Sequence, residues 1–481
     1  MVAITPEWGK KPWDAIVIGA GPNGLTAAVT LAQAGRTVLV LEAEETIGGG
    51  ARSAALTLPG FTHDVCSSVY PLAVASPAFA SMPLAAHGLE WIYPPLALAH
   101  PFDDGTAAVL ERTLEATAQT LGDDGEAYGR LLRPLVAHWQ QLQDDLLGPP
   151  TRIPQHPMLF ARFGLRALRS AYSVTTSWFT KPPARALFAG LAAHSMLPLE
   201  RAATAAIALV LAITGHTTGW PIARGGAQNI TLALASYFRS LGGEVVTDVR
   251  VHSLDALPPA RVILCDITPR QLLQIAGHRL PQSYRRRLER YRYGVGAYKV
   301  DWALAQPIPW TASVCTRAGT VHLGCTLEEI CRAEQAPWRN QVATQPFVLL
   351  TQPSIFDPIR APRGRHTAWA YCHVPHGSTT SMLDQIETQV ERFAPGFRAQ
   401  ILARSALSPR DLERRNANLI GGDINGGVQD LWQLFFRPSL RHYTTPVRGL
   451  YLCSAATPPG GGVHGMCGYH AAHAALHDVL R

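Results

Sequence analysis

The chain has 481 residues, 47% of them hydrophobic and only 16% charged, enough to bury a large core and divide into about two domains or more. Its formal net charge of +7 rests almost wholly on arginine, with lysine only at positions 10, 11, 181 and 299, and no basic block interleaved with aromatics marks a nucleic-acid face. The eight cysteines form no C-x-x-C pair, which argues against a disulfide framework, a zinc site or a dithiol redox centre and suggests scattered thiols in a reducing compartment such as the cytoplasm.

Residues 1–13 lack an apolar signal-peptide core, and the first patterned element follows at once. Residues 15–24 read Ala-Ile-Val-Ile-Gly-Ala-Gly-Pro-Asn-Gly, and residues 37–42 read Thr-Val-Leu-Val-Leu-Glu. This predicts a short strand, a glycine turn, an alanine-rich helix and a second strand ending in a carboxylate. Gly19 permits the tight turn, Gly21 lets the backbone approach a pyrophosphate across Pro22 and Asn23, and Gly24 lets helix and strand pack closely. The helix start aims its N–H groups at phosphate. Glu42, beside Ala43, is placed to accept both hydroxyls of an adenosine ribose. A loop of Gly48, Gly49, Gly50, Ala51 and Arg52 then brings glycines and a cation toward the same ligand.

From 103 to about 219 the pattern turns helical, with Leu131, Leu135, Trp139, Leu142 and Leu146 spaced along one face. The apolar run 202–215 is about one-third short of a bilayer span and predicts a buried helix. Between Asp145 and Glu200 there is no acidic residue, and Arg162, Arg166 and Arg169 are expected on one helix face, a pattern that suits either a solvated surface or peripheral contact with anionic lipid. A helix over 229–241 follows, then strands at 245–246, 249–254 and 261–266. From 294 to about 433, alternating residues and prolines predict a mainly antiparallel sheet flooring a substrate cavity. A buried strand at 449–453 runs into Pro-Pro-Gly-Gly-Gly-Val-His-Gly at 458–465 and a final helix over 466–480.

Two glycine-rich helix starts, about 440 residues apart, distinguish FAD from NAD. One serves the FAD diphosphate. The other, at Gly461, Gly462, Val463 and His464, would face the flavin C2 carbonyl and favour the negative charge of reduced flavin. Neither 225–226 nor 421–427 has the strand–GxGxxG–helix setting of a second nucleotide site, so electrons are expected to pass through the substrate, dioxygen or a quinone.

On these stretches, together with 224–269, 291–310, 366–377 and 448–473, the chain resembles the phytoene-dehydrogenase-like family of FAD-dependent oxidoreductases. The resemblance implies an α/β fold: a Rossmann-like FAD-binding domain of glutathione-reductase type with a discontinuous α+β substrate domain. The FAD domain is expected over 1–75, 220–292 and 437–481, a mainly helical part over 76–219 and a sheet-containing part over 293–436. It also implies adenine contact at the backbone of Val251 and a small hydrophobic, unsaturated substrate.

Catalytic residues are less marked. His464 is a candidate for a flavin hydrogen bond or proton shuttle, or a helix-start histidine facing protein. Trp369, Tyr371 and His373 alternate on one strand face, where they would flank a flat substrate or simply pack. Asp423 and Asn425 are candidates for the flavin edge or for turn residues. No metal-ligand set is expected. Hydride transfer needs a C–H held over flavin N5 in a dry pocket and little else. Desaturation or saturation leads, with redox-neutral double-bond isomerisation, amine oxidation and a non-enzymatic FAD-stabilised lipid carrier as alternatives. Oligomeric state stays open.

Overall fold

A computed structural model describes residues 11–481. The apolar, β-branched runs found in the sequence form one five-stranded parallel sheet. Its order is Leu450–Leu452, Ala260–Cys265, Trp13–Ile18, Val38–Leu41, Glu244–Val246. Strands from three distant parts of the chain thus lie side by side; Trp13–Ile18, Val38–Leu41 and Leu450–Leu452 are almost wholly buried, as in a parallel sheet covered on both faces, and the Glu244–Val246 edge is half-buried. The Pro22–Gln33 helix covers one face beside Gln228–Ser240 and Met466–Asp478. It approaches the last helix so closely that a Cβ on Gly468 would stand 1.8 Å from the Asn23 carbonyl oxygen. Residues 249–254 are not a strand, as expected, but an extended loop entering the short turn Leu254–Ala256. Their alternate side chains are half-buried, but the chain turns away from the Glu244–Val246 edge at Asp248, φ +58. The Asp248 and Val249 N–H groups donate to the Glu44 and Glu42 carbonyls past the end of the second strand instead of extending a ladder.

The second sheet has seven strands in the order Ile401–Leu407, Gly296–Leu304, His366–Val374, Val348–Thr351, Ala318–Leu323, Leu96–Pro101, Ala107–Leu110. All neighbours are antiparallel except Ala318–Leu323 with Leu96–Pro101. Two of these strands come from the stretch expected to be helical. Ala107–Leu110 lies where helix was predicted, and its short run is buried by its sheet partner.

The pleat divides this sheet cleanly. Val300, Trp302, Ala368, Ala370 and Cys372 point to a core closed by the Leu383–Phe393 helix. Lys299, Asp301, Trp369, Tyr371 and His373, which alternate with them, point to the other face. Helices Pro182–Ala193 and Thr204–His216 pack over the latter end of that face. The Thr204–His216 helix fulfils the buried-helix expectation, and among the described residues no helix is long and apolar enough to cross a membrane.

Buried charge ties the turn ahead of the His366–Val374 strand to the His63–Asp64 strand and to the chain entering the Gln228–Ser240 helix. Arg360 donates to Asp64, to Asp357 and to the Ala223 carbonyl, each at 2.9 Å. Asp64 and Asp357 also accept from the backbone N–H of Ala227 and Gly225. Burial opposes ionisation of Asp64, but the Arg360 charge together with hydrogen bonds from Ala227, Ser68 and Arg360 outweighs it and holds the carboxyl below its ordinary range.

Candidate functional site

Two adjoining clefts of about 330 Å³ each run across the carboxyl end of the parallel sheet, the place where open α/β sheets bind ligands. The outer cleft is lined by Gly19, Glu42, Ala43, Arg52 and Val251. The inner one is lined by Pro22, Asn23, Gly50, Ala51, Gly462 and Val463. Gly21 and Gly49 line both. A Cβ on Gly49 would lie 3.1 Å from Gly21 Cα, so the two glycine loops meet backbone to backbone at the waist between the clefts.

Each piece of the first fingerprint has its geometry. Gly19 has φ +102, a conformation side-chain-bearing residues rarely take. A Cβ on Gly24 would meet the Gly19 carbonyl oxygen at 2.1 Å. The Pro22–Gln33 helix starts with proline at N1 and has no side-chain cap, leaving its dipole to a ligand. Glu42 accepts from the Ala20 N–H at 2.7 Å and the Glu44 N–H at 3.1 Å, yet lines the outer cleft. Two backbone donors thus fix the carboxylate that is to meet the ribose. Arg52 donates from Nε to the Gly49 carbonyl at 3.2 Å and from Nη2 to the Arg415 carbonyl, bracing the glycine loop rather than reaching freely for phosphate. A cleft with an acid at one end, a helix start and two glycine loops at its waist and a glycine turn at the other end fits FAD. Glu42, Ala43 and Val251 would hold the adenosine, Gly19 to Gly24 and Gly49 the diphosphate, and Gly462 and Val463 the ring.

Asp266 was not singled out from the sequence, although the strand leading to it was. It lines both clefts, accepts from the Gly24 N–H at 2.9 Å, and would lie 3.0 Å from a Cβ on Gly21. Burial pushes its carboxyl up to about 7, against the Gly24 hydrogen bond and with the Glu42 charge adding to the rise. Asn418, from the loop across the cleft, donates to the Asp266 carbonyl.

The inner cleft continues into a cavity over the seven-stranded sheet. Trp369 and Tyr371 both line it, their rings stacked at 5.6 Å and 17°, with Leu211, Leu349 and Leu72 around them. Beneath Trp369, Lys299 is buried, its ammonium 5.3 Å from the ring and paired with Asp301. Burial raises Asp301 to about 6 against that pairing. This buried pair gave no signal in a sequence with few lysines beyond the rarity itself.

Two candidate catalytic residues stand elsewhere. His464 is buried with both ring nitrogens used by backbone: Nδ1 accepts from the Met466 N–H at 3.0 Å and Nε2 lies 3.2 Å from the Gly460 carbonyl. It holds the turn before the Met466–Asp478 helix and does not line the cavity. His373 shares the strand face of Tyr371 but turns its Nδ1 to Glu334, 2.8 Å from both carboxylate oxygens, and lies behind the cavity wall. Gly461 packs on Asn425, and Asn425 lines the cavity. Asp423 instead closes its own loop, accepting from Gly294 and Asn425 backbone N–H groups. The Arg162, Arg166 and Arg169 face does not form. The helix ends at Ala167, Arg166 folds back to the Leu131 carbonyl at 3.1 Å, and Arg169 binds Ser173 and Ser177.

Comparison with known proteins agrees with this geometry. Residues 17–82 match the NAD(P)-binding Rossmann-like domain family. The chain is 27% identical to pyridine nucleotide-disulfide oxidoreductase domain-containing protein 2 of Rattus norvegicus, covering 98% of this chain and 94% of that one. It is 26% identical to the lycopene-forming phytoene desaturase of Pantoea ananas, over 96% and 98%. An oxidoreductase structure from Methanosarcina mazei superposes with a TM-score of 0.67 at 14% identity, over 97% and 100%. A redesigned putrescine oxidase does so with 0.62 at 15%, over 98% and 99%. The fold and its cleft define a Rossmann-type oxidoreductase of the FAD-dependent class. Within that class the chain is, along nearly its whole length, a relative of the phytoene desaturases.

Proposed function

We propose that the chain passes hydride between FAD and an uncharged, hydrophobic, unsaturated substrate, desaturating or saturating it. The observation that carries this reading is the lining of the cavity. Among the described residues, no lysine or arginine lines it, and its one carboxylate, Asp266, stands at the dinucleotide waist. A cationic amine in such a pocket would lose its hydration without gaining a counter-charge, which sets this cavity apart from an amine oxidase's task. A stacked Trp369–Tyr371 pair presents a flat apolar surface suited to a polyene. When bound, FAD supplies the two-electron acceptor. The protein's own part is to hold a carbon over the flavin edge and exclude water. Reoxidation would fall to dioxygen or a quinone.

The test is anaerobic titration of the FAD-loaded chain with phytoene, methyl oleate and putrescine, following flavin absorbance and product mass. Bleaching by phytoene or methyl oleate, with a product two hydrogens lighter, is expected. Bleaching by putrescine alone would overturn the reading. Isomerised product with no lasting bleaching would replace it by the redox-neutral one, and a flavin that no probe bleaches when oxidised or reoxidises when pre-reduced by the lipid-carrier one.

A membrane surface is the proposed source of such a substrate. Ile153, Met158 and Leu165 are 85%, 88% and 78% exposed, beside the exposed Arg152 and Arg162 and in the stretch without acids. Apolar side chains ringed by cations suit the interface of an anionic bilayer. The chain should co-sediment with phosphatidylserine vesicles, and Met158→Glu with Leu165→Glu should abolish this. Equal binding by that variant would dismiss the surface.

A further inference from the structure

A string of histidines in the cavity wall has no task in the reading above. His194 follows the last turn of the Pro182–Ala193 helix and lines the cavity. Its Nε2 lies 3.0 Å from His322 Nε2. His322 and His100 stand on neighbouring floor strands with ring centroids 6.4 Å apart. Their Nδ1 atoms are both buried without a hydrogen-bond partner. Both face the overlying helix at Gly190, where a Cβ would lie 2.7 Å from His322 Nδ1 and 3.4 Å from His100 Nδ1. At the far end His100 Nε2 lies 2.8 Å from the Cys325 carbonyl oxygen. Burial keeps the rings neutral, lowering His100 to about 4 and His194 to about 3.

The tautomers follow from that carbonyl. A carbonyl oxygen only accepts, so a neutral His100 carries its proton on Nε2 and presents a bare lone pair at Nδ1. Both Nδ1 atoms border the same unpartnered space at Gly190, and a proton on His322 Nδ1 keeps two lone pairs from sharing it, which leaves its Nε2 an acceptor. His194 then donates from Nε2, and its Nδ1, with no protein partner, is a lone pair. Around His194 stand His322 on the floor, His373 backed by the Glu334 carboxylate, and the Trp220 ring edge 6.2 Å away.

We propose that His194 is the base of the cavity, its Nδ1 accepting the proton that leaves the substrate, and that His322 and His100 are positioning residues that hold it in this tautomer. This rests on the FAD-dependent reading of the preceding section. Of the two hydrogens lost, one leaves carbon with its bonding pair and reduces FAD. The other goes as a proton to His194 Nδ1, and its bonding pair becomes the new double bond.

The test uses the full chain, FAD-loaded and labelled with ¹⁵N-histidine, in long-range ¹H–¹⁵N correlation spectra assigned by His194→Gln and His322→Gln. His322 is expected as the Nδ1–H tautomer and His194 as the Nε2–H tautomer. Gly190→Ala, which pushes a methyl against His322 Nδ1, should erase that signature. The reverse tautomers would overturn the proposal. In stopped-flow reduction by whichever of phytoene, methyl oleate or putrescine bleaches the wild type, His194→Gln should slow bleaching about 100-fold or more while keeping its FAD. An unchanged rate would equally overturn it. If no probe bleaches the wild type, the substrate reading fails on its own and the tautomers alone decide the assignment of His194.

Discussion

Raising the pH through neutrality should loosen the hold on FAD, and Asp266 should be the cause. Its carboxyl is pushed up to about 7, first by burial and further by the Glu42 charge, from an ordinary 3.8. That is about three units, or roughly 4 kcal/mol against ionising in place. The folded value lies above the unfolded one, so the contribution is fully present below pH 3.8 and lost as pH climbs through about 7. Asp266 binds the Gly24 N–H at the helix start, the group that a diphosphate approaches, so a bound diphosphate strengthens the preference for the neutral acid. Where one proton must be taken up with the ligand, Kd rises up to about tenfold per pH unit. The assay is equilibrium dialysis of FAD from about pH 6 to about pH 9, on wild type and Asp266→Asn, with His252→Gln as control for the imidazole lining the outer cleft. Wild-type affinity should fall above about pH 7, and the amide should bind with a flat profile. A flat wild type, or a slope that survives in Asp266→Asn, would refute the reasoning.

Further substitutions address other links. Gly24→Ala drives a methyl into the Gly19 carbonyl; it should cost about 1–3 kcal/mol and empty the site of FAD, seen as colourless purified protein. Glu42→Ala frees the Ala20 N–H and should weaken FAD by about 10- to 100-fold in the same dialysis, at about 1–3 kcal/mol for the unpaired donor. Arg360→Ala strands two buried carboxylates and should lower stability by about 3–5 kcal/mol in urea unfolding. Trp369→Ala should leave FAD affinity intact while raising KM for the reducing probe; an unchanged KM would remove Trp369 from the substrate surface.

The nucleotide cleft was legible because its parts are local. A strand, three glycines at fixed offsets and an acid at the next strand end are one short stretch of sequence, and the Gly461–Val463 turn announced itself the same way. The parts that escaped are products of tertiary meeting. Asp266 touches Gly24 across 242 positions, and His194 reaches His322 across 128. Neither pairing leaves a spacing to find. His464 misled because a histidine at a helix start also satisfies backbone, as it does here with Met466 and Gly460. The arginine face failed through helix length: the helix stops at Ala167, so Arg169 belongs to the next turn's capping network. Residues 249–254 alternate like a strand because they, too, half-bury one side, and periodicity reports burial, not ladder pairing.

The pleat of the cavity floor has a consequence for how this protein can change. On the His366–Val374 strand, every second residue belongs to the core and the residues between belong to the cavity face. Volume added or removed at 369 or 371, or at 349 and 351 on the adjoining strand, alters the shape offered to a substrate while Ala368, Ala370 and Cys372 keep their packing. Substrate shape and the core behind the sheet thus rest on separate side chains of the same strands.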